Sequence, residues 1–160
     1  MSMSKPRLAS VFILRVLMGW MYLYVGIGDV LDPKFSAAGY IKSAKSFVWL
    51  YEWFLNPQVL PIVEFMVKWG LLLLGLSLVL GLLVRLSSYL GMALMFLFYL
   101  PILNFPLVGQ HAFLVDEHII YMAGLLVLAS FRAGHIWGLD RWLYNLPVAA
   151  KFPRLRAWLG

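Results

Sequence analysis

Cysteine is missing from this chain of 160 residues, and charged residues make up only 12% of it. Without a thiol, the chain forms no disulfide, no cysteine zinc site and no iron–sulfur cluster held by cysteines. His111, Asp116 and His118 have suitable ligand types for a metal but no standard spacing, and no haem motif is present, so no metal or haem is expected. Any electron transfer must use a bound or diffusing organic cofactor.

Acidic residues are also scarce, since 7 Asp and Glu stand against 13 Lys and Arg, which gives a net charge of +6. The basic residues flank apolar segments and do not form a basic domain interleaved with aromatic residues. This distribution argues against a nucleic-acid partner. It favours contact with the anionic inner leaflet of a membrane.

Hydrophobic residues account for 63% of the chain, and the mean hydropathy is +0.87. Both values indicate a polytopic membrane protein with the lipid bilayer as its partner. The first apolar segment runs for about the ~20 residues that cross hydrocarbon and lacks a small-residue cleavage motif, so we expect a retained helix and no cleaved signal peptide.

The apolar periodicity predicts an all-α integral membrane four-helix bundle in a single domain over residues 1–160. The fourth helix is the shortest: its uncharged stretch, 119–131, has only 13 residues, so we extend it back to Ala112 to reach spanning length. A helical segment rich in lysine and aromatic residues follows the first helix and should lie in the headgroup plane, as should an amphipathic tail at the C-terminus. The predicted ranges are about 8–31, 59–84, 87–104 and 112–131 for the spans, 34–56 for the interfacial segment and 133–160 for the surface tail.

The lysines and arginines predict the orientation. With four spans, both termini are expected in the cytoplasm, and the connection between helices three and four, which has no Lys or Arg, outside it. The cytoplasmic set is Lys5, Arg7, Arg85, Arg132, Arg141, Lys151, Arg154 and Arg156, and the outer set is Lys34, Lys42 and Lys45.

A polar stripe runs along the first helix. Arg15, Gly19, Tyr22, Gly26 and Asp29 follow one another at steps of 4, 3, 4 and 3, which places them on one helical face. Such a face should turn toward partner helices that approach closely at glycine. In the fourth helix, the acid, phenol and small residue recur at the same spacing, as Glu117, Tyr121 and Gly124.

The predicted topology brings further polar residues to one level, in the outer third of the membrane. Because charges at this depth are costly, roughly 2.5–3.5 kcal/mol each at the centre, a cluster drawn from four helices is expected to pair internally and forms our candidate site. Its members are Asp29, Glu64, Lys68, Asn104, His111, Asp116, Glu117 and His118.

Each group also has a structural interpretation. Glu64 and Lys68 have the spacing and order of an ion pair along one helix turn. Arg15 could extend to the headgroups or make a structural contact. The run Asp116 to His118 could be a solvated helix start, where acids favour the helix dipole.

The ordered motifs resemble the DoxX/DoxD family of small four-helix membrane proteins over about residues 8–143. The matching residues are Leu14-Arg15, Gly19, Gly26 and Asp32-Pro33, then Glu64, Gly70-Leu71, Leu74-Gly75-Leu76, Gly81-Leu82 and Arg85-Leu86, and finally Gly134-His135-Ile136-Trp137-Gly138-Leu139-Asp140. The resemblance implies a redox setting in a prokaryotic plasma membrane. The DoxD branch is the membrane subunit of thiosulfate:quinone oxidoreductase, which works with a second subunit. Asp29 stands where many relatives carry a lysine.

Two functions follow as hypotheses. In the first, the chain is a quinone-linked redox subunit that oxidises a small sulfur compound and passes the electrons to quinone. Glu64, Glu117 and His118 would then be catalytic groups that exchange and relay protons, while Arg15, Tyr22, Lys68 and Tyr121 would bind the quinone.

The second hypothesis is a non-catalytic subunit that anchors a larger membrane complex through peripheral or membrane protein partners. A small-solute or lipid carrier is a weaker third, because no broken helix pair crosses the midplane.

Overall fold

The computed structural model describes residues 4–108, 112–146 and 158–159, which are mostly helical. The elements are α1 (Lys5–Leu31), α2 (Ala38–Lys42), α3 (Val48–Phe54), α4 (Leu60–Leu80), α5 (Val84–Ile102), β1 (Leu103–Asn104), β2 (Leu107–Val108), β3 (Ala112–Phe113), α6 (Glu117–Ser130), a 3-10 turn (Ala133–His135) and α7 (Leu139–Tyr144). The strands form an antiparallel sheet in the order β1-β2-β3.

Three of these helices, α1, α4 and α5, are long and apolar enough to cross a membrane, which indicates a membrane protein. Their mean hydropathies are 1.8, 1.9 and 1.3. Large apolar side chains on their outer faces are exposed, among them Leu17, Phe65 and Leu90, each more than 60% exposed. That exposure suits helices surrounded by lipid.

The fourth predicted helix differs from its expectation. α6 begins at Glu117 and has 14 residues, so it is about 21 Å long, and residues 112–113 form strand β3. The predicted helix over 112–116 is therefore wrong. The helix begins directly after Asp116, because the Asp116 carboxylate accepts hydrogen bonds from the main-chain N–H groups of His118 and Ile119 and so caps the helix.

Glycines of α1 and α4 let the two helices cross antiparallel at backbone contact. A Cβ on Gly26 would lie 2.7 Å from the Cα of Leu72, and one on Gly75 would lie 2.7 Å from the Cβ of Leu23. The close approach predicted for the glycine stripe is thus confirmed. Inside this crossing, α1, α4, α5 and α6 contribute to one apolar core that includes Tyr22, Leu78, Leu125 and Leu128.

The chain between α1 and α4 covers the end of α5. Pro101 lies inside α5 and has no N–H to donate to the carbonyl of Leu97, four residues earlier. The Tyr51 hydroxyl donates to that carbonyl instead, at 2.6 Å. The same chain supplies further donors: the Tyr40 hydroxyl to Phe98 O, Lys45 N to Pro101 O at 2.8 Å and Ser46 Oγ to Leu103 O at 2.5 Å. The orphan carbonyls of a helix end are thereby satisfied by α2, α3 and the residues between them. We call this the cap end of the molecule.

At the opposite end, which we call the turn end, α4 passes into α5 within three residues. Gly81 ends α4 with a left-handed φ of 69°. Because the predicted second and third helices, 59–84 and 87–104, are joined by almost no loop, the sequence predicts an antiparallel hairpin. α4 and α5 form this hairpin, although α4 ends at Leu80 and not near Val84.

The segment after α6 folds back against this turn. Ala133, Gly134, Ile136 and Asp140 are buried there, so the prediction that residues 133–140 belong to a surface tail is wrong. Most of the remaining tail, residues 147–157, lies outside the described residues.

Candidate functional site

The polar groups predicted to form one cluster lie on either side of α2. On one side, Glu64 Oε1 accepts Ser36 Oγ at 2.7 Å and the N–H of Ala37 at 3.1 Å. These two bonds fix the chain between α1 and α2 to α4. On the other side, Tyr40 of α2 bonds to Phe98 of α5, next to the start of α6.

Lys68 does not pair with Glu64, so the predicted ion pair along one helix turn is wrong. Its ammonium nitrogen lies 4.7 Å from the ring centroid of Phe35, in cation–π contact, and close enough to Asp29 to feel its charge. Lys68 and Glu64 both line an open groove of about 310 Å³ between the end of α1 and the start of α4. Its walls are Val30, Pro61, Glu64, Phe65, Lys68 and Trp69.

Asp116 and His118 form a close pair at the start of α6. His118 Nδ1 lies 2.7 Å from Asp116 Oδ2, and the two side chains are only 15% and 10% exposed. A carboxylate at Nδ1 favours the proton on that nitrogen, which leaves Nε2 as a hydrogen-bond acceptor. The predicted structural role holds in part: Asp116 Oδ1 caps α6 through the N–H of His118 at 3.1 Å, but the Asp116 and His118 side chains are mostly buried and not solvated.

Aromatic rings connect this pair to the core. The centroids of Phe98 and Tyr121 lie 6.3 and 6.5 Å from that of the His118 imidazole, and the Tyr121 centroid lies 6.1 Å from that of Tyr22. All these contacts are edge-on, a favoured geometry for such rings. The buried Tyr22 hydroxyl finds no hydrogen-bond partner among the described residues. Tyr22, Tyr121 and His118 therefore form a continuous group at the seam between α1 and α6.

The remaining predicted members of the cluster lie in different parts of the structure. Glu117 is exposed at the first position of α6, one turn from Tyr121, and Asn104 is exposed in β1. Asp29 is half-buried on the Lys68 side of α2. His111 lies outside the described residues. The structure thus brings together Glu117, His118, Tyr121 and Tyr22, and separately Asp29, Glu64 and Lys68.

Arg15 lies in neither group. Its guanidinium is fully buried at the turn end, where Nη1 donates to Ala133 O and, at 3.0 Å, to Ile136 O, and Nη2 donates to Trp137 O at 3.3 Å. The structural contact that was one interpretation of Arg15 is therefore present. Along α1, Arg15 is 14 residues from Asp29, or about 21 Å.

Asp140 is the residue of this end that residue-by-residue reasoning left without a role. It is 2% exposed, and its carboxylate accepts the N–H of Leu83 at 2.6 Å and of Val84 at 3.1 Å, so it caps α5 from a distant part of the chain. Burial raises the pKa of Asp140, while these N–H groups, His135 and Arg15 oppose the shift. The sequence signal for this role is the motif from Gly134 to Asp140, which places an acid shortly after two glycines.

A metal centre finds no support in the described ranges, which contain no group of three His, Asp or Glu residues arranged to hold an ion. No protein-family model, curated protein or solved structure matches this chain. The function is therefore argued from the side chains described above.

Proposed function

We propose that this chain is a DoxX-like integral membrane protein with four spans and both termini in the cytoplasm. The three long apolar helices support a membrane-spanning protein. The fourth span would be α6, which is apolar and packs antiparallel to α1, as the pairs Met18–Gly124 and Tyr22–Tyr121 indicate. At about 21 Å, α6 is shorter than the hydrocarbon core, so the bilayer would thin around it. Cysteine accessibility at engineered positions near residue 5 and in the β1–β2 turn tests the orientation, since the two labels should report opposite sides.

We propose further that the protein takes part in quinone-linked redox chemistry at the seam between α1 and α6. The observation that carries this proposal is the His118 imidazole, oriented by Asp116 at 2.7 Å and flanked by the rings of Phe98 and Tyr121. A general acid or base beside flat aromatic surfaces suits a ring that gains or loses protons at its oxygens.

The donor set fits a quinone headgroup. Tyr22 offers a buried hydroxyl that has no partner among the described residues, and Tyr121 offers a second, half-buried phenol beside it. Either hydroxyl would donate to a quinone oxygen, and His118 would exchange a proton with it. Glu117 is exposed one turn away and would take up from water the proton that His118 delivers when the quinone is reduced.

The proposed quinone site contains fewer residues than the sequence hypothesis assigned to it. Arg15 is committed to carbonyl groups at the turn end, and Glu64 and Lys68 lie across α2. None of the three takes part in the proposed quinone site. Reduction of a quinone consumes two electrons and two protons, and the electrons would come from a small reduced sulfur compound or a partner subunit, because the chain has no thiol.

Quinone binding and reduction by the protein in lipid nanodiscs test this proposal. With decylubiquinone as the probe and thiosulfate as the reductant, we expect H118Q to reduce turnover by about 10²-fold, which is typical for loss of a general acid or base. H135Q is the matched control, since His135 lies at the turn end. If the native protein binds no quinone, or if both variants lose turnover equally, the proposal fails.

An accessory role is the second candidate. The strands β1 to β3 expose large apolar side chains at the cap end, among them Phe105 at 77% and Phe113 at 67%. Such a patch is typical of a contact with another protein. F105S with F113S should then release a copurifying subunit while the isolated chain remains folded, and H118Q should leave that subunit bound.

A further inference from the structure

The groove between α1 and α4 is a second site, separate from the seam that contains His118. It is open on one side, and Phe65 and Trp69, two of its walls, are 62% and 41% exposed. Both belong to a helix long enough to span a membrane. The groove therefore opens toward the space that lipid occupies, and its occupant must have an apolar part.

Two opposite charges stand in the wall of this groove without pairing with each other. Glu64 Oε1 accepts hydrogen bonds from the Ser36 hydroxyl and the Ala37 N–H, and Glu64 Oε2 has no hydrogen-bond partner in the described part of the chain. Lys68 rests on the Phe35 ring, and within the same ranges no oxygen accepts its N–H groups. One carboxylate oxygen and one ammonium group are thus both available.

The spacing and depth of these charges limit the choice of ligand. They are one helix turn apart, which separates their Cβ atoms by about 5–6 Å. Glu64 and Lys68 follow the start of α4 by four and eight residues, or by about 6 and 12 Å. In a helix of 21 residues, about 31 Å long, Glu64 therefore lies just inside the boundary between headgroups and hydrocarbon. Lys68 lies about one turn deeper, and its flexible side chain extends the ammonium back toward the headgroups.

We propose that this groove binds a phospholipid with a zwitterionic headgroup and a primary ammonium, as in phosphatidylethanolamine. Lys68 donates to the phosphate, Glu64 Oε2 accepts from the lipid ammonium, and an acyl chain lies along Phe65 and Trp69. A choline headgroup has no N–H to donate to Glu64. An anionic headgroup without an amine meets the like charges of Glu64 and Asp29.

Native mass spectrometry of the delipidated protein, titrated with lipids of identical acyl chains, tests this proposal. We expect phosphatidylethanolamine to bind about tenfold more tightly than phosphatidylcholine or phosphatidylglycerol, which is the effect of about one charge-assisted hydrogen bond. E64Q keeps Oε1 for Ser36 and Ala37, so it should fold normally and lose only the preference for ethanolamine over choline. K68M should weaken the binding of all three lipids.

Matched controls use exposed charges outside the groove, E52Q on α3 and K45M before it. Both should bind lipid as the native protein does, and so should H118Q, because the groove does not depend on the quinone site. Equal affinity of the native protein for ethanolamine and choline lipids would overturn the proposal. Loss of binding in K45M equal to that in K68M, or displacement of the lipid by decylubiquinone, would overturn it as well.

Discussion

Arg15 in the first helix donates from Nη1 to the main-chain oxygen of Ile136, which lies 121 residues later in the chain, at 3.0 Å. The same guanidinium also donates hydrogen bonds to the carbonyl groups of Ala133 and Trp137, and it is fully buried. Its position depends on two glycines, because a Cβ on Gly81 or Gly138 would lie 2.8 or 2.7 Å from Nη1. The two terminal nitrogens of this buried charge thus donate to the carbonyl dipoles of a chain turn and fix α1 to the segment before α7, while Nε has no hydrogen-bond partner among the described residues.

We predict that R15K destabilises the protein although it preserves the charge. A lysine ammonium is compact and lacks the planar fork that serves several carbonyls at once, so at least one buried acceptor is left unpaired, at a cost of about 2 kcal/mol. In detergent, the midpoint of thermal unfolding followed by tryptophan fluorescence should fall by roughly 4–8 °C. R7K, which changes an exposed arginine in the same helix, is the control. Equal midpoints for the two variants would show that the fork geometry contributes nothing.

We predict that G75A separates α1 from α4. Its methyl group would overlap the main chain of Leu23, which cannot move without shifting the whole helix, so we expect a loss of about 1–3 kcal/mol. The matched control is G28A in α1, because a Cβ there has no neighbour within 4 Å. G28A should leave stability unchanged or raise it slightly through helix propensity, by about 0.5–1 kcal/mol. Chemical or thermal unfolding of both variants distinguishes packing from propensity, and a loss in G28A matching that in G75A would contradict the packing argument.

We predict that Tyr51 and Pro101 are energetically coupled. Burial raises the pKa of Tyr51 to about 12, so its hydroxyl is a neutral donor to Leu97 O under ordinary conditions. Y51F should cost about 1–3 kcal/mol, because the carbonyl that Pro101 leaves without an N–H then has no donor. In a P101A background, the new main-chain N–H can donate to Leu97 O, and Y51F should cost less.

The four proteins of this double-mutant cycle, compared by thermal unfolding, should give a coupling of about 1 kcal/mol. Y24F, at a tyrosine that is 72% exposed, measures the effect of losing a hydroxyl elsewhere. Additive effects of Y51F and P101A would mean that the Tyr51 hydroxyl does not replace the missing donor.

We predict that the two roles of Asp116 can be separated. D116N keeps a good cap for α6, so stability should change by no more than about 0.5 kcal/mol, whereas D116A should lose about 1 kcal/mol. D116N also removes the carboxylate that orients His118 through Nδ1, so under the proposed function quinone turnover should fall about 10-fold or more. Full turnover in D116N would show that the His118 imidazole needs no carboxylate partner.

Several features of the fold were predictable because they depend on local sequence. The spacing of Gly19 and Gly26 predicted which face of α1 meets another helix, and the near absence of a loop before Ser87 predicted the α4–α5 hairpin. The predicted start of the fourth helix at Ala112 was wrong. It followed from the length that a span requires, whereas Asp116, a typical cap residue, sets the actual start at Glu117. The predicted pairing of Glu64 with Lys68 was also wrong. Spacing along one helix cannot reveal that the Ser36 hydroxyl and the Ala37 N–H compete for the Glu64 carboxylate.

The sequence by itself determined that this is a helical membrane protein without thiol chemistry, because composition and the length of apolar runs depend on no contact between distant residues. Only the tertiary structure decided where the few polar side chains are used. Arg15 bonds near Ile136, Asp140 caps α5, and α2 divides the predicted cluster into the His118 seam and the Lys68 groove. The reason is that a buried polar group must find partners wherever the folded chain supplies them, and those partners lie up to 122 residues away along the chain.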